Sequence, residues 1–88
     1  MTYQLAREWW GKGVATTAVR IATEAAMSEI IELERLEALV EERNKASQRV
    51  LEKVGFQREG LLRKYWWNKG LLRDMAMYSF VRGDSFLI

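Results

Sequence analysis

The stretch that most constrains this chain is Trp9-Trp10-Gly11-Lys12-Gly13-Val14-Ala15, a glycine-punctuated turn between a short alternating segment and a long helix-forming one. Neither Gly11 nor Gly13 carries a Cβ, so the backbone can turn tightly there and come close to a ligand. A helix begins at once. Its first-turn amides have no partner inside the helix, and the helix dipole adds partial positive charge, so the turn suits an anion such as phosphate. Lys12 adds a full charge. A Gly-x-Gly pair alone is a weak signal, because many strand-to-helix turns use glycine for geometry only.

The rest of the chain arranges itself around that turn. Tyr3 and Leu5 alternate within Thr2 to Ala6, the pattern of a short strand. Val14 to Ile31 is rich in alanine and free of Pro and Gly, and Val14, Ala18, Ile21, Ala22 and Ala25 recur at helical spacing. The expectation is a helix with that face inward and Arg20, Glu24 and Glu29 toward water. Leu36 to Val40 alternates again, with Leu36, Ala38 and Val40 on one face. A strand-helix-strand unit of this length predicts parallel strands, with the glycine turn at the carboxyl end of the first.

Asn44 then suits an N-cap, its side chain accepting from the amide near Ser47, for a helix over Lys45 to Val54 that buries Ala46, Val50, Leu51 and Val54. Gly55 followed by Phe56 is the pattern of a Schellman stop. Gln57 to Trp67 and Leu71 to Val81 predict an antiparallel hairpin across the three residues Asn68-Lys69-Gly70. Trp66 and Trp67 should point to opposite faces, one inward. Asp74, Ala76, Tyr78 and Phe80 share a face of the last strand. The apolar end, Phe86, Leu87 and Ile88, is expected to dock on a partner subunit.

Composition removes whole classes of function. The 88 residues suffice for one small domain. With no cysteine and no histidine, disulfides, thiol catalysis and the commonest metal ligand are absent, and no metal is expected. No apolar run approaches the roughly 18 residues of a membrane span, so no membrane is expected as a partner. A net charge of +2 and a pI near 9.2 fall short of the clustered basic patch of a nucleic-acid binder, so nucleic acid is not expected either. No signal peptide is visible, which fits a cytoplasmic location.

Three ordered motifs carry a family resemblance: Trp10-Gly11-Lys12-Gly13-Val14-Ala15, then Asn44 to Phe56, then Glu59-Gly60-Leu61-Leu62-Arg63 followed by Asn68-Lys69-Gly70 and Arg73-Asp74. Over nearly its whole length the chain resembles the C-terminal half of a GCN5-related N-acetyltransferase (GNAT), nearest to the branch that acetylates ribosomal-protein N-termini. The resemblance implies an α/β fold, β-α-β-α-β-β with a mixed sheet, in which residues 1–88 form a single half-domain lacking the N-terminal half. It also implies that the first two strands splay apart to admit coenzyme A. Many members begin the glycine loop with Arg or Gln, where this chain has Trp10.

Site roles follow from the resemblance. Trp10, Gly11, Lys12, Gly13, Val14 and Ala15 would hold the pyrophosphate of acetyl-coenzyme A, chiefly through backbone amides, and Asn44 would contact the pantetheine arm. Trp9 and Trp10 also read as packing beneath the loop, and Asn44 as a cap alone, although one side chain serves both roles. Ser47 would protonate the departing thiolate, or only solvate the helix start. Tyr78 resembles a tyrosine of the family's last strand and reads either as a proton donor or as a core aromatic. Glu37 and Glu59 are candidate bases by residue type only, and some relatives carry a glutamate where this chain has Trp66.

The expected activity is acetyl transfer from acetyl-coenzyme A to a primary amine, by direct attack. The acceptor is left open. The alternative is an inactive acetyltransferase-like module that binds coenzyme A or only associates with itself. An uncovered first strand would recruit another chain, so a homodimer through that strand is expected.

Overall fold

The computed structural model describes residues 2–3 and 14–87, with backbone alone for Thr2, Tyr3 and Val14. Its elements follow in the order β1 (Thr2–Tyr3), α1 (Val14–Glu29), β2 (Arg35–Glu41), α2 (Lys45–Val54), β3 (Gln57–Asn68) and β4 (Leu71–Val81). Among the described residues the strands make one mixed sheet of order β1-β2-β4-β3. β1 runs parallel to β2 through Thr2↔Glu37 and Tyr3↔Ala38, and β4 runs antiparallel to β2 from Arg35↔Val81 to Glu41↔Met75. The β-α-β-α-β-β order stands as expected. Residues 4–6 of the expected first strand, and Trp9 to Gly13 of the glycine turn, lie outside the described residues.

Alternation builds the core. Leu36, Ala38 and Val40 of β2 and Ala76, Tyr78 and Phe80 of β4 meet Ala15 and Val19 of α1 and Val50, Leu51 and Val54 of α2 in one buried cluster. Both helices therefore cover the same face of the sheet.

The phase of α1 differs from the sequence reading. Its buried stripe is Ala15, Val19 and Thr23, with Ala26 and Met27 packed against the core, whereas Ile21 is 54% exposed. Alanines occupy both flanks of this helix, so apolarity alone defines no single stripe. Thr23 tolerates burial because its hydroxyl donates to the Val19 carbonyl at 2.7 Å. On α2, Ala46 is exposed and Ser47 takes the inward place.

α1 ends at Glu29, short of Ile31, and the device that closes it is remote in sequence. Arg82, just after β4, donates to the carbonyls of Met27 (2.9 Å), Ile30 (3.0 Å) and Leu33 (2.8 Å). These carbonyls have few partners of their own at a helix end, and a cation there also complements the dipole. α2 closes locally instead. The amides of Gly55 and Phe56 both reach the Leu51 carbonyl, at 3.2 and 3.0 Å. Gly55 has φ of 126°, and a Cβ there would lie 2.8 Å from the Ser85 carbonyl oxygen.

The hairpin turn is one residue shorter than expected. Asn68 pairs with Leu71, leaving Lys69 and Gly70 with φ of 53° and 78°, a two-residue turn with both central residues left-handed. β3 is also irregular, with register shifts between Arg58 and Gly60 and between Leu62 and Trp66. At the second shift the Lys64 amide donates to Asp74 Oδ1 at 2.8 Å. No residue from 61 to 74 is buried, so neither tryptophan turns inward: Trp66 is 47% and Trp67 67% exposed. The helices cover β2 and the proximal hairpin, and the distal hairpin runs past them.

In the tail, Phe86 departs from expectation. Phe86 folds back onto its own core and stacks on Phe80 with ring centroids 4.7 Å apart, while the Leu87 amide donates to the Val54 carbonyl at 3.0 Å. Leu87 is exposed, and Ile88 lies outside the described residues.

Candidate active site

Because β1 and β2 are parallel, both strands run toward the same end of the sheet, the end at which α2 starts. The start of α2 is firmly built. Asn44 Oδ1 accepts from the Ser47 amide at 3.1 Å, as the sequence predicts. Gln48 Nε2 donates to the carbonyls of Glu41 (3.2 Å) and Glu42 (2.7 Å), pinning the turn between β2 and the helix. Since capping uses the oxygen of Asn44, its amide remains to donate into the adjoining cavity.

That cavity, of about 650 Å³, opens between the β2–α2 turn and the tip of the hairpin, and Asn44 lines it beside Glu41, Arg43, Lys45, Lys69 and Arg73. Glu41 sits among cations: Arg43 Nε is 3.7 Å and Arg73 Nε 3.6 Å from its oxygens, and Asn68 Nδ2 donates to it at 3.0 Å.

Ser47 is fully buried, and its Oγ has no hydrogen-bond partner among the described residues. A buried hydroxyl left in this state costs on the order of 1–3 kcal/mol. Tyr78 is equally buried, but its hydroxyl is engaged: it lies 2.9 Å from Glu52 Oε2 and 3.3 Å from Gln48 Oε1. Burial pushes the Tyr78 phenol above its ordinary value, and the Glu52 carboxylate pushes the same way.

Arg58 extends this network, donating to Gln48 Oε1 (3.1 Å) and Glu42 Oε2 (2.9 Å). Hydrogen bonds from Lys45 and then Arg58 hold Glu42 below the usual carboxylate range, and Glu42 in turn raises Arg58. On α2, Gln48 and Glu52 share a flank one turn apart, whereas Ser47 shares its flank with Leu51. Tyr78 is thus tied to the Gln48 flank, with no hydrogen bond to Ser47.

The two candidate bases converge elsewhere. Arg35 Nε donates to Glu37 at 2.9 Å, Arg35 Nη1 lies 3.7 Å from Glu59, and Ser79 Oγ donates to Glu59 at 2.5 Å. Glu37 alternates with Leu36 and Ala38, so this group sits on the sheet face away from the helices. Trp10, Gly11, Lys12 and Gly13 lie outside the described residues, and Val14 is described as backbone alone. Ala15 turns its side chain into the core, so any ligand contact from it would fall to its backbone amide.

Sequence reasoning missed Gln48, Arg58, Lys69 and Arg73. Gln48, Lys69 and Arg73 stand within the motifs that carry the family resemblance, whereas Arg58 stands outside them. Among the described residues no group of three or more His, Cys, Asp or Glu could hold a metal, and no helix is long and apolar enough to cross a membrane.

The parallel strand-helix-strand unit, the second helix and the antiparallel hairpin together make the mixed α/β arrangement that the family resemblance implies. The Acetyltransferase (GNAT) domain model matches residues 1–57, and the chain belongs to this family. It is 41% identical over 82 residues to "Uncharacterized N-acetyltransferase p20" of Bacillus licheniformis, covering 93% of this chain and 46% of that protein. Mycobacterium smegmatis RimJ, solved in complex with CoA-disulfide, superposes with a TM-score of 0.79 at 30% identity, covering 93% of this chain and 41% of that one. The ribosomal-protein-S5-alanine acetyltransferase of Vibrio fischeri gives a TM-score of 0.76 at 28% identity, covering 91% and 45%. The chain therefore spans less than half the length of these relatives.

Proposed function

We propose that the chain is the half of an acetyl-coenzyme A dependent N-acetyltransferase that binds the acetyl donor, acting on a primary amine by direct attack. The observation that carries this reading is the start of α2, where Asn44 retains a free amide donor beside a buried Ser47 hydroxyl without a partner. Packing alone gives no reason to bury that hydroxyl, whereas a thiolate leaving beside it would use it.

In this reading the glycine turn, residues 10–15, receives the pyrophosphate on its backbone amides, and Asn44 donates to the pantetheine arm. The amine nitrogen bonds to the thioester carbon as the carbon–sulfur bond breaks. Ser47 supplies a proton to the sulfur, and the proton lost by the amine restores the hydroxyl through solvent. The chain's main contribution is to position donor and amine. Tyr78 serves the fold, since its proton is already committed toward Glu52. The protein acts in the cytoplasm, and a second copy covers the outer edge of β1.

The test is thiol release from acetyl-coenzyme A in the presence of small amines and peptide N-termini. Ser47→Ala should lower kcat about 100-fold, the scale of a general acid, with thermal stability unchanged or raised. Unchanged turnover in that variant would remove Ser47 from the chemistry. No turnover by folded, donor-binding protein would favour the reading as an inactive coenzyme A-binding module.

A further inference from the structure

The cavity beside α2 is lined by four cations, Arg43, Lys45, Lys69 and Arg73, against the single carboxylate of Glu41. This is more positive charge than the whole chain carries in excess, +2. The cations come from the β2–α2 turn, α2, the hairpin turn and β4, so the cluster is assembled by the fold and is no sequence run. At about 650 Å³ the space falls within the range of small-ligand sites.

These charges are only partly answered. Lys45 pairs with Glu42 at 3.0 Å, but Arg43 and Arg73 lie 3.7 and 3.6 Å from Glu41. Arg73 Nε is buried with no hydrogen-bond partner. Lys69 has no ion pair among the described residues, and it holds φ of 53° at a turn position that Asn, Asp or Gly would occupy more easily. The turn itself accounts for that φ, so what points to a ligand is the charge of Lys69 beside the buried, unsatisfied Arg73 Nε at one cavity.

Resting on the acetyltransferase reading, we propose that this cavity selects the acceptor: it takes an amine whose neighbouring groups are anionic, such as a peptide N-terminus followed by acidic residues. In the strand order β1-β2-β4-β3, the cavity lies on the β4 side of β2 and β1 lies on the other. Donor and acceptor would then meet at the start of α2, the donor's pantetheine arm at the Asn44 amide and the acceptor against the cations of the hairpin turn and β4. A polycationic amine is repelled from the same site.

The experiment is calorimetric titration of the 88-residue chain, with and without saturating coenzyme A, with the peptides Ala-Glu-Glu and Ala-Lys-Lys at low and high salt, followed by thiol release from acetyl-coenzyme A with each peptide. The acidic peptide should bind about tenfold more tightly at low salt, with the preference shrinking as salt rises. Lys69→Asn, which suits the turn better, should keep or raise the melting temperature while weakening the acidic peptide about fivefold. Equal affinity for both peptides, or an unchanged affinity in Lys69→Asn, overturns the proposal. So does a preference seen only without coenzyme A, which would assign the cavity to the donor's phosphates. Acidic-peptide binding without acetyl transfer would refute the catalytic reading alone, and transfer to both peptides at equal rates would refute the selection alone.

Discussion

Tyr78 and Ser47 are both fully buried hydroxyls, yet the fold treats them differently. Tyr78 is held by Glu52 and Gln48, and burial raises its phenol. The folded chain therefore holds that proton more tightly than the unfolded chain, where tyrosine titrates near ~10. Its contribution to stability is intact below that value and is lost as pH rises through the raised folded value. Urea midpoints at about pH 9 and about pH 11 should consequently drop further in the native chain than in Tyr78→Phe. An equal drop would remove Tyr78 as the cause. Asn44 as cap and Gly55 as stop were legible in sequence, because each acts on its own helix within a few residues. The Gln48–Arg58–Glu42 network was not, since its partners meet only once β3 folds beside α2.

At the scale of elements, the bounds of α2 were legible to the residue, although its inward face was not at Ala46 and Ser47, and the bounds of α1 were not. α2 carries both its cap and its stop in local sequence, whereas α1 is closed by Arg82, which follows it by more than fifty positions. Arg82→Ala should lower stability by about 1–2 kcal/mol and speed amide exchange in the last turn of α1, read by thermal melting and hydrogen exchange. Exchange that is unchanged there would contradict the capping role. The phase of α1 was misread because Ile21 suggested a stripe that packing does not use. The hairpin was legible in its strands and its glycine, but not in its register. β3 shifts register twice, once where Asp74 receives the Lys64 amide, and alternation alone shows neither shift.

At the scale of the molecule, the chain carries one core under two helices and leaves Leu61, Tyr65, Trp66, Trp67 and Leu71 exposed along the distal hairpin. β1 stands at one edge of the sheet and pairs on its described residues with β2 alone. Apolar surface and an open strand edge both favour association. Sedimentation should therefore give a mass near twice the 10.3 kDa of one chain, and a monomer at all concentrations would contradict the homodimer. Everything in the functional account rests on donor binding at the end of the sheet where α2 starts. The most direct measurement is calorimetric titration of the 88-residue chain with acetyl-coenzyme A, beside Gly13→Asp, which adds a Cβ and a negative charge where pyrophosphate is expected. The account predicts saturable binding that weakens at least about tenfold in the variant. Absence of binding by the folded native chain, or equal affinity in Gly13→Asp, would contradict it.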